Sequence, residues 1–288
     1  MPHCHSSNIA ATVPFELNNR LTNMNKNQSE HSILYKYLDI KGANKMLSHS
    51  NLQFTNATQF NDPFDCHPSL IDFSRVPREK CKGWTPGIIE LVESDRYRRY
   101  RENAWICCLS KVFDSILMWS YYNSHKGVCI GLNREIVANY LNISQGMVVA
   151  NFGYDVLYRD IIEKPDYFHD EIDFFHYQIC TKAKDWEHEQ EVRMFILNPS
   201  LSCMLHYEDD NHNDGKDEPI ILKEAKAYIE IGGECFESIH LGVNINKKEK
   251  EEIIKAARNL NPDIKIYQME LDANAFRLRY KPIMSELV

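Results

Sequence analysis

Apolar side chains along this chain alternate between two spacings, the period of two that is typical of strands and the period of 3.6 that is typical of helices. Residues 32–38 (SILYKYL), 105–110 (WICCLS) and 128–132 (VCIGL) are short apolar or alternating runs that predict strands. Residues 247–260 (KKEKEEIIKAARNL) place apolar side chains on one side and charges on the other, which predicts an amphipathic helix.

The remaining segments extend this mixed pattern to most of the chain. A brief strand is predicted from residue 51 into a loop at 61–63, and Asn133 is the expected N-cap of a helix that follows it. Other predicted helices cover 41–50, 87–102 and 166–186, the last as a long amphipathic helix, and a short helix is predicted from residue 115 up to a turn at 125–127. Other predicted strands lie within 147–160, 238–245, 264–271 and 276–283.

These elements predict an α+β fold in one mixed domain, residues 31–288, with a central, mostly antiparallel β core flanked by helices. Residues 1–30 are rich in Asn, Ser and Thr and are expected to form a mobile extension. Residues 207–219 (YEDDNHNDGKDEP) lack apolar side chains and are expected to form an acidic surface loop.

Composition narrows the classes of function. The formal net charge of -8 and the pI of about 5.8 disfavour nucleic-acid binding that is driven by the overall charge of the protein. No apolar run approaches the length of a membrane span, and the N-terminal residues do not follow the signal-peptide pattern. Nine cysteines without a CxxC pair are typical of a reduced, cytoplasmic protein, so that location and no membrane contact are expected.

One segment combines charge with a buried strand, residues 186–197 (WEHEQEVRMFIL). On a strand, Glu189, Glu191 and Arg193 face the same side because residues two apart share a face. Two interpretations remain open. Arg193 pairs with Glu191 at an exposed strand edge, or the two carboxylates line a site where a cationic transition state develops.

Two further segments carry polar or aromatic side chains next to apolar runs. FNDPFD (60–65) places Asp62 and Asp65 in a turn, and MWSYYNSHKG (118–127) concentrates aromatic rings before a strand. Aromatic rings with polar tips suit a planar ligand, although they are also common in cores. The signatures GxGxxG, P-loop, HExxH and GxSxG do not occur in the sequence.

The order of LYKYL, LQFTNATQFNDPFD, MWSYYNSHKGVCIGL and WEHEQEVRMFIL over residues 33–283 resembles the bacterial family called domain of unknown function 2971. That pattern is in turn similar to ADP-ribosyltransferases, which have a strand with a Leu-Tyr-His-Gly type motif, a Ser or Tyr near nicotinamide, and a late Glu-x-Glu. The resemblance implies an ADP-ribosyltransferase-like fold and NAD as substrate, with no metal. Lys36 stands where those transferases carry His or Arg.

The resemblance also implies roles for individual residues. Glu191 is expected to stabilise the positive charge that develops on the ribose, with Glu189 assisting. Tyr122 or Trp119 is expected to stack on nicotinamide. The full set expected to contact or position NAD is Tyr35, Lys36, Asn61, Asp62, Ser110, Trp119, Tyr122 and Arg193.

The function expected from this resemblance is NAD-dependent ADP-ribosyl transfer to a macromolecular acceptor, protein or nucleic acid, or hydrolysis of NAD. Such proteins in bacteria are often effectors, toxins or phage-defence proteins. One alternative is a non-catalytic ligand-sensing or partner-binding module on the same fold. A further alternative is a metal-dependent nuclease, which needs Asp62, Asp65 and Glu189 to converge on a metal.

Overall fold

A computed structural model of the chain describes residues 32–75, 101–143, 148–197 and 223–284. Two predicted segments, the N-terminal extension at 1–30 and the acidic loop at 207–219, lie outside these residues. The predicted helix at 87–102 also lies outside them, except for its last two residues.

Short strands and helices alternate through the described residues, as the apolar pattern predicts. The strands are β1 (Ile33–Leu38), β2 (Asn51–Asn56), β3 (Ala104–Ser110), β4 (Val128–Asn133), β5 (Val148–Asp155), β6 (Leu157–Arg159), β7 (Thr181–Ala183), β8 (Glu191–Leu197), β9 (Lys226–Glu230), β10 (Phe236–Leu241), β11 (Lys265–Leu271) and β12 (Leu278–Pro282). The helices are α1 (Ile40–His49), α2 (Ile116–Asn123), α3 (Arg134–Ile143), α4 (Phe174–Cys180) and α5 (Lys247–Leu260). None of the described helices is long and apolar enough to cross a membrane.

Ten of the described strands form one large sheet. Its main order is β12-β11-β10-β4-β1-β3-β2-β9, and β8 pairs with β3 on one side and with β5 on the other. Within the described strands of this sheet, β10 and β11 are the one parallel pair. The prediction of a mixed α and β fold with a mostly antiparallel sheet and flanking helices is therefore confirmed.

Strand β3 is the point where the sheet divides. One edge of β3 pairs with β8 along its whole length. The other edge pairs first with β2, through Ile106 and Trp105, and then with β1 through Ser110. The strand registers place Tyr35 of β1 opposite Ser110 of β3, and Ser110 opposite Glu191 of β8. These three residues therefore form one row across three strands.

The main core lies between this sheet and the helices α1, α3 and α5. Ile253 and Ala257 of α5 are fully buried there, on the apolar side that the sequence predicts. Helix α3 begins as predicted, because the Asn133 side-chain oxygen accepts hydrogen bonds from the backbone N–H groups of Glu135 and Ile136 at 3.1 and 3.2 Å.

The long helix predicted over residues 166–186 is wrong. Only Phe174–Cys180 is helical, with the Asp173 side chain accepting a hydrogen bond from the backbone N–H of His176. Beyond it, Thr181–Ala183 pairs in parallel with β6, and Lys184–Glu189 forms a 3-10 helix. Backbone pairing with a distant strand overrides the local helical periodicity here, because the pairing satisfies the polar groups of residues 181–183.

Candidate functional site

A cavity of about 190 Å³ lies where β1, β3 and β8 meet at the divided part of the sheet. Seven of the ten residues predicted for the site line it, namely Tyr35, Lys36, Asn61, Ser110, Tyr122, Glu189 and Glu191. Seven further residues complete the lining, namely Tyr37, Phe60, Asp65, Cys108, Leu109, Met118 and Lys182. Side chains from four separate sequence motifs therefore converge on one cavity.

Three predicted residues do not line the cavity. The Trp119 side chain is fully buried and its indole N–H donates a hydrogen bond of 2.7 Å to the backbone oxygen of Phe113. Trp119 packs edge-on against Tyr37, so it supports the wall behind the cavity and is not placed to stack on a ligand. Asp62 caps the turn instead, and its carboxylate accepts a hydrogen bond from the backbone N–H of Phe64.

Arg193 is the third of these residues, and it holds two carboxylates in place. Its guanidinium donates to Glu191 Oε1 at 2.9 Å and to both oxygens of Asp65 at 2.8 and 2.7 Å. The pairing of Arg193 with Glu191 that the sequence predicted is confirmed, but its position at an exposed strand edge is wrong, because Arg193 is fully buried and both carboxylates are 3% exposed. A buried charge of this kind is tolerated only when it is fully paired.

The two glutamates meet for a different reason from the predicted one. Glu189 ends the 3-10 helix Lys184–Glu189, and Gln190 follows in the left-handed region with φ of 43°, so β8 begins at Glu191. The same-face argument is therefore wrong for Glu189, which lies outside the strand, and is confirmed for Glu191 and Arg193, which both lie in β8 and form an ion pair. Lys182 brings the carboxylates together, with its ammonium 2.5 Å from Glu189 Oε2 and 3.1 Å from Glu191 Oε2.

Electrostatic interactions keep Glu191 and Lys182 ionised. Burial alone would raise the pKa of Glu191, but the charges of Arg193 and Lys182 outweigh burial and hold that pKa far below its usual range. Burial would lower the pKa of Lys182, but the neighbouring carboxylates of Glu191 and Glu189 raise it above its usual value. Glu191 is therefore a carboxylate at neutral pH and is not a proton donor.

Hydrogen bonds fix Glu189 from two sides. The Tyr122 hydroxyl donates to Glu189 Oε1 at 2.7 Å, and burial together with that carboxylate raises the pKa of Tyr122. The Ser110 hydroxyl donates to the backbone oxygen of Glu189 at 2.7 Å and accepts from the backbone N–H of Val112 at 3.2 Å. Ser110 thus anchors the glutamate and has no hydroxyl hydrogen left for a ligand.

Two side chains of β1 leave polar groups available to a ligand. The Lys36 ammonium donates to the backbone oxygen of Cys108 at 2.7 Å, and it has no carboxylate partner among the described residues. Within the part of the chain that the structure describes, its other two N–H groups make no hydrogen bond and can donate to a ligand. Burial raises the pKa of Tyr35 to about 12, so its hydroxyl stays protonated at neutral pH.

The charges around the cavity balance. The cations are Lys36, Lys182 and Arg193, and the anions are Asp65, Glu189 and Glu191. Among the residues that the structure describes, no group of three or more His, Cys, Asp or Glu side chains is arranged to hold a metal ion. Asp65 and Glu189, which the nuclease alternative needs at a metal, are occupied by Arg193 and Lys182.

Lys182 and Asp65 are the two charged residues of this site that the sequence did not assign to NAD. Lys182 falls in the segment that was predicted as a continuous helix, where its side chain has no special position. Asp65 stands out in FNDPFD, but its partner Arg193 is 128 positions away, and no local pattern connects the two.

No family model, no curated protein and no solved structure matches this chain.

Proposed function

We propose that this chain has an ADP-ribosyltransferase-like fold, binds the nicotinamide–ribose end of NAD⁺ in the cavity and cleaves the bond between nicotinamide and ribose. The observation that carries the proposal is the convergence of four motifs on one cavity, which is lined by one or more residues of each motif, namely Tyr35, Asn61, Tyr122 and Glu191. Membership of the family called domain of unknown function 2971, and a role as a bacterial effector, toxin or phage-defence protein, are part of the same proposal and rest on the order of these motifs.

The state of Glu191 suits this chemistry. Loss of nicotinamide leaves positive charge on the ribose, and a fixed carboxylate beside the ribose stabilises that charge more in the transition state than in bound NAD⁺. Arg193 and Lys182 keep Glu191 ionised and hold it in one orientation. Its side chain needs little reorganisation when the charge develops.

The other lining groups suit the nicotinamide–ribose end. Tyr35 and Tyr122 supply aromatic rings at the cavity, and the free N–H groups of Lys36 are donors for a carbonyl or hydroxyl oxygen. The volume of about 190 Å³ is below the ~300–1,000 Å³ of pockets that enclose a drug-sized ligand. Under this proposal the adenosine half of NAD⁺ lies outside the cavity.

A second candidate is a ligand-binding module without catalysis. It is favoured by one observation, that all four oxygens of Glu189 and Glu191 already accept hydrogen bonds from Tyr122, Lys182 or Arg193. A carboxylate so fully paired gives less net stabilisation to a developing cation. Binding without turnover is the outcome that separates this candidate from the enzyme.

The test is to incubate the purified protein with NAD⁺ and to follow nicotinamide release by chromatography beside Glu191→Gln. Glu252→Gln, which changes a half-exposed glutamate in α5, is the matched control. We expect release by the wild type and the control and a loss of at least a hundredfold in Glu191→Gln. Circular dichroism checks that this variant is folded.

Thermal shift with NAD⁺ distinguishes the two candidates. A shift without nicotinamide release supports the binding module. If NAD⁺ causes neither a thermal shift nor nicotinamide release, both the enzyme and an NAD⁺-binding module are contradicted. A cavity that recognises NAD⁺ must stabilise the folded chain through binding.

A further inference from the structure

A second cavity lies between helix α2 and the hairpin loop that joins β11 to β12. Its volume of about 540 Å³ falls within the ~300–1,000 Å³ of pockets that enclose a drug-sized ligand. Its apolar walls come from Ile116, Leu271, Phe276 and Leu278, and it has no described lining residue in common with the candidate site. The chain therefore has room for a ligand outside the site where NAD⁺ cleavage is proposed.

Two arginines at this hairpin share one buried carboxylate. The Asp272 side chain is fully buried, and its Oδ2 accepts from Nε of Arg277 at 2.5 Å and from Nε of Arg279 at 2.7 Å. Asp272 and Arg277 line the cavity, and the shared oxygen holds the Arg279 guanidinium next to that of Arg277. No hydrogen bond or ion pair within the described residues uses the terminal N–H groups of either arginine, and both side chains are more than half exposed.

This arginine pair has a positive charge in excess of its carboxylate. Two guanidinium groups meet one anion, and among the described residues no ion pair joins Arg279 to Glu270, which stands opposite it in β11. The chain as a whole has a formal net charge of -8, so the excess is a local feature. Guanidinium groups that a carboxylate holds side by side suit a phosphate, whose oxygens accept from paired N–H donors.

The hairpin loop also presents an aromatic ring at the cavity. The loop is closed by a hydrogen bond of 3.1 Å from the Asp272 N–H to the Arg277 oxygen, and the Asp272 carboxylate accepts from the Asn274 N–H at 2.9 Å. The Phe276 side chain is nonetheless fully exposed, so its ring face is available to stack on a planar group. The Asn274 amide and the His125 ring, which line the same cavity, can hydrogen-bond to the edge of that group.

We propose that this second cavity binds a free nucleoside monophosphate, with the base on Phe276 and the phosphate on Arg277 and Arg279. A nucleobase is planar and has polar edges, which match a phenyl ring beside Asn274 and His125. A simple aryl phosphate has no such edge, and an uncharged nucleoside leaves the arginine pair without an acceptor. The proposal concerns binding alone and does not rest on the cleavage of NAD⁺.

The test is isothermal titration calorimetry of the full chain with adenosine 5′-monophosphate (AMP) and, separately, with adenosine. We expect AMP to bind with a Kd below about 1 mM and at least tenfold more tightly than adenosine, because the phosphate adds charge-assisted hydrogen bonds. Failure of AMP to saturate the protein up to about 10 mM, or equal affinity for the two ligands, overturns the proposal.

Two variants locate the binding site. Phe276→Ala should weaken AMP binding about tenfold and keep the preference for AMP over adenosine, because only stacking is lost. Arg277→Gln should weaken AMP binding about tenfold and leave adenosine binding unchanged, and the protein should fold because Arg279 still pairs with Asp272. The matched controls are Tyr228→Ala, a half-exposed tyrosine of β9 at the opposite edge of the sheet, and Arg159→Gln.

The controls and a nucleic-acid titration decide between the remaining outcomes. AMP affinity that falls equally in the two variants and their controls, or in none of the four, overturns the assignment to this cavity. A single-stranded oligonucleotide that binds at least tenfold more tightly than AMP overturns a free nucleotide as the ligand and assigns the surface to nucleic acid. AMP binding that is lost only in Phe276→Ala and Arg277→Gln supports the proposal.

Discussion

Arg193 offers the sharpest test of the buried charge cluster. Arg193→Met replaces the arginine side chain with an apolar one of similar shape and so removes a guanidinium that is fully buried. The substitution takes away two hydrogen bonds to Asp65, two to Glu191 and one to the backbone oxygen of Ile179. Glu191 keeps Lys182, whereas Asp65 loses the one cation that pairs with it among the described residues.

The size of the effect follows from what is left unpaired. Removing one partner of a buried ion pair typically costs about 3–5 kcal/mol, because the remaining charge stays desolvated. The control is Arg159→Met. Arg159 lies 4.0 Å from Glu163, and both side chains are roughly half exposed, so the loss should stay under about 1 kcal/mol.

Urea unfolding followed by circular dichroism at pH 7 measures the free energy of unfolding of both variants. The reasoning is refuted if Arg193→Met costs no more than Arg159→Met. Adding Asp65→Asn to Arg193→Met should recover part of the loss, because it removes the stranded charge, so the two costs should not add. Strict additivity would show that Asp65 and Arg193 do not depend on each other.

Three further substitutions test the titration and packing of buried groups. Glu191→Gln should flatten the acid limb of the stability curve. The pKa of Glu191 is lowered on folding, so its contribution to the free energy of unfolding is present above the usual glutamate pKa of about 4.5 and is lost as pH falls, by up to about 1.4 kcal/mol per pH unit. Urea unfolding from pH 3 to 7 measures this slope, and an equal slope for variant and wild type would contradict the prediction. Burial lowers the pKa of His240 to about 4, so the unfolded chain binds this proton first and stability falls as pH drops from about 6.5 to 4. His240→Phe should remove roughly 3 kcal/mol of that loss, and identical pH profiles for variant and wild type would be the opposing result. Trp119→Phe should cost about 1–3 kcal/mol in thermal unfolding, because the backbone oxygen of Phe113 loses its donor; a cost near zero would mean that this hydrogen bond is dispensable.

Much of the secondary structure was predictable because its signal is local. Strand β1, helix α5 and the Asn133 cap follow from periodicity and capping within about ten residues, and the structure has all three. The failure over residues 166–186 has the opposite cause. Residues 181–183 pair with β6, more than 20 positions earlier, and no pattern within the segment reports that contact.

The candidate site likewise contains residues that the sequence predicted correctly and residues that it did not. Glu191 and Tyr122 stood out because charged or aromatic residues occur beside apolar runs, and Tyr35 was predicted from the family resemblance. All three line the cavity. Trp119 stood out for the same reason and is core, since the sequence does not say which aromatic ring of a cluster faces inward.

By itself, the sequence determined that polar residues at the end of β3 and at the start of β8 adjoin apolar runs that form buried strands. Only the tertiary structure decided how those ends combine. Register across the divided sheet aligns Tyr35, Ser110 and Glu191, and the left-handed turn at Gln190 carries Glu189 to Lys182. The physical reason is that propensity acts over a few residues, whereas desolvated charges must find partners wherever the fold brings them close.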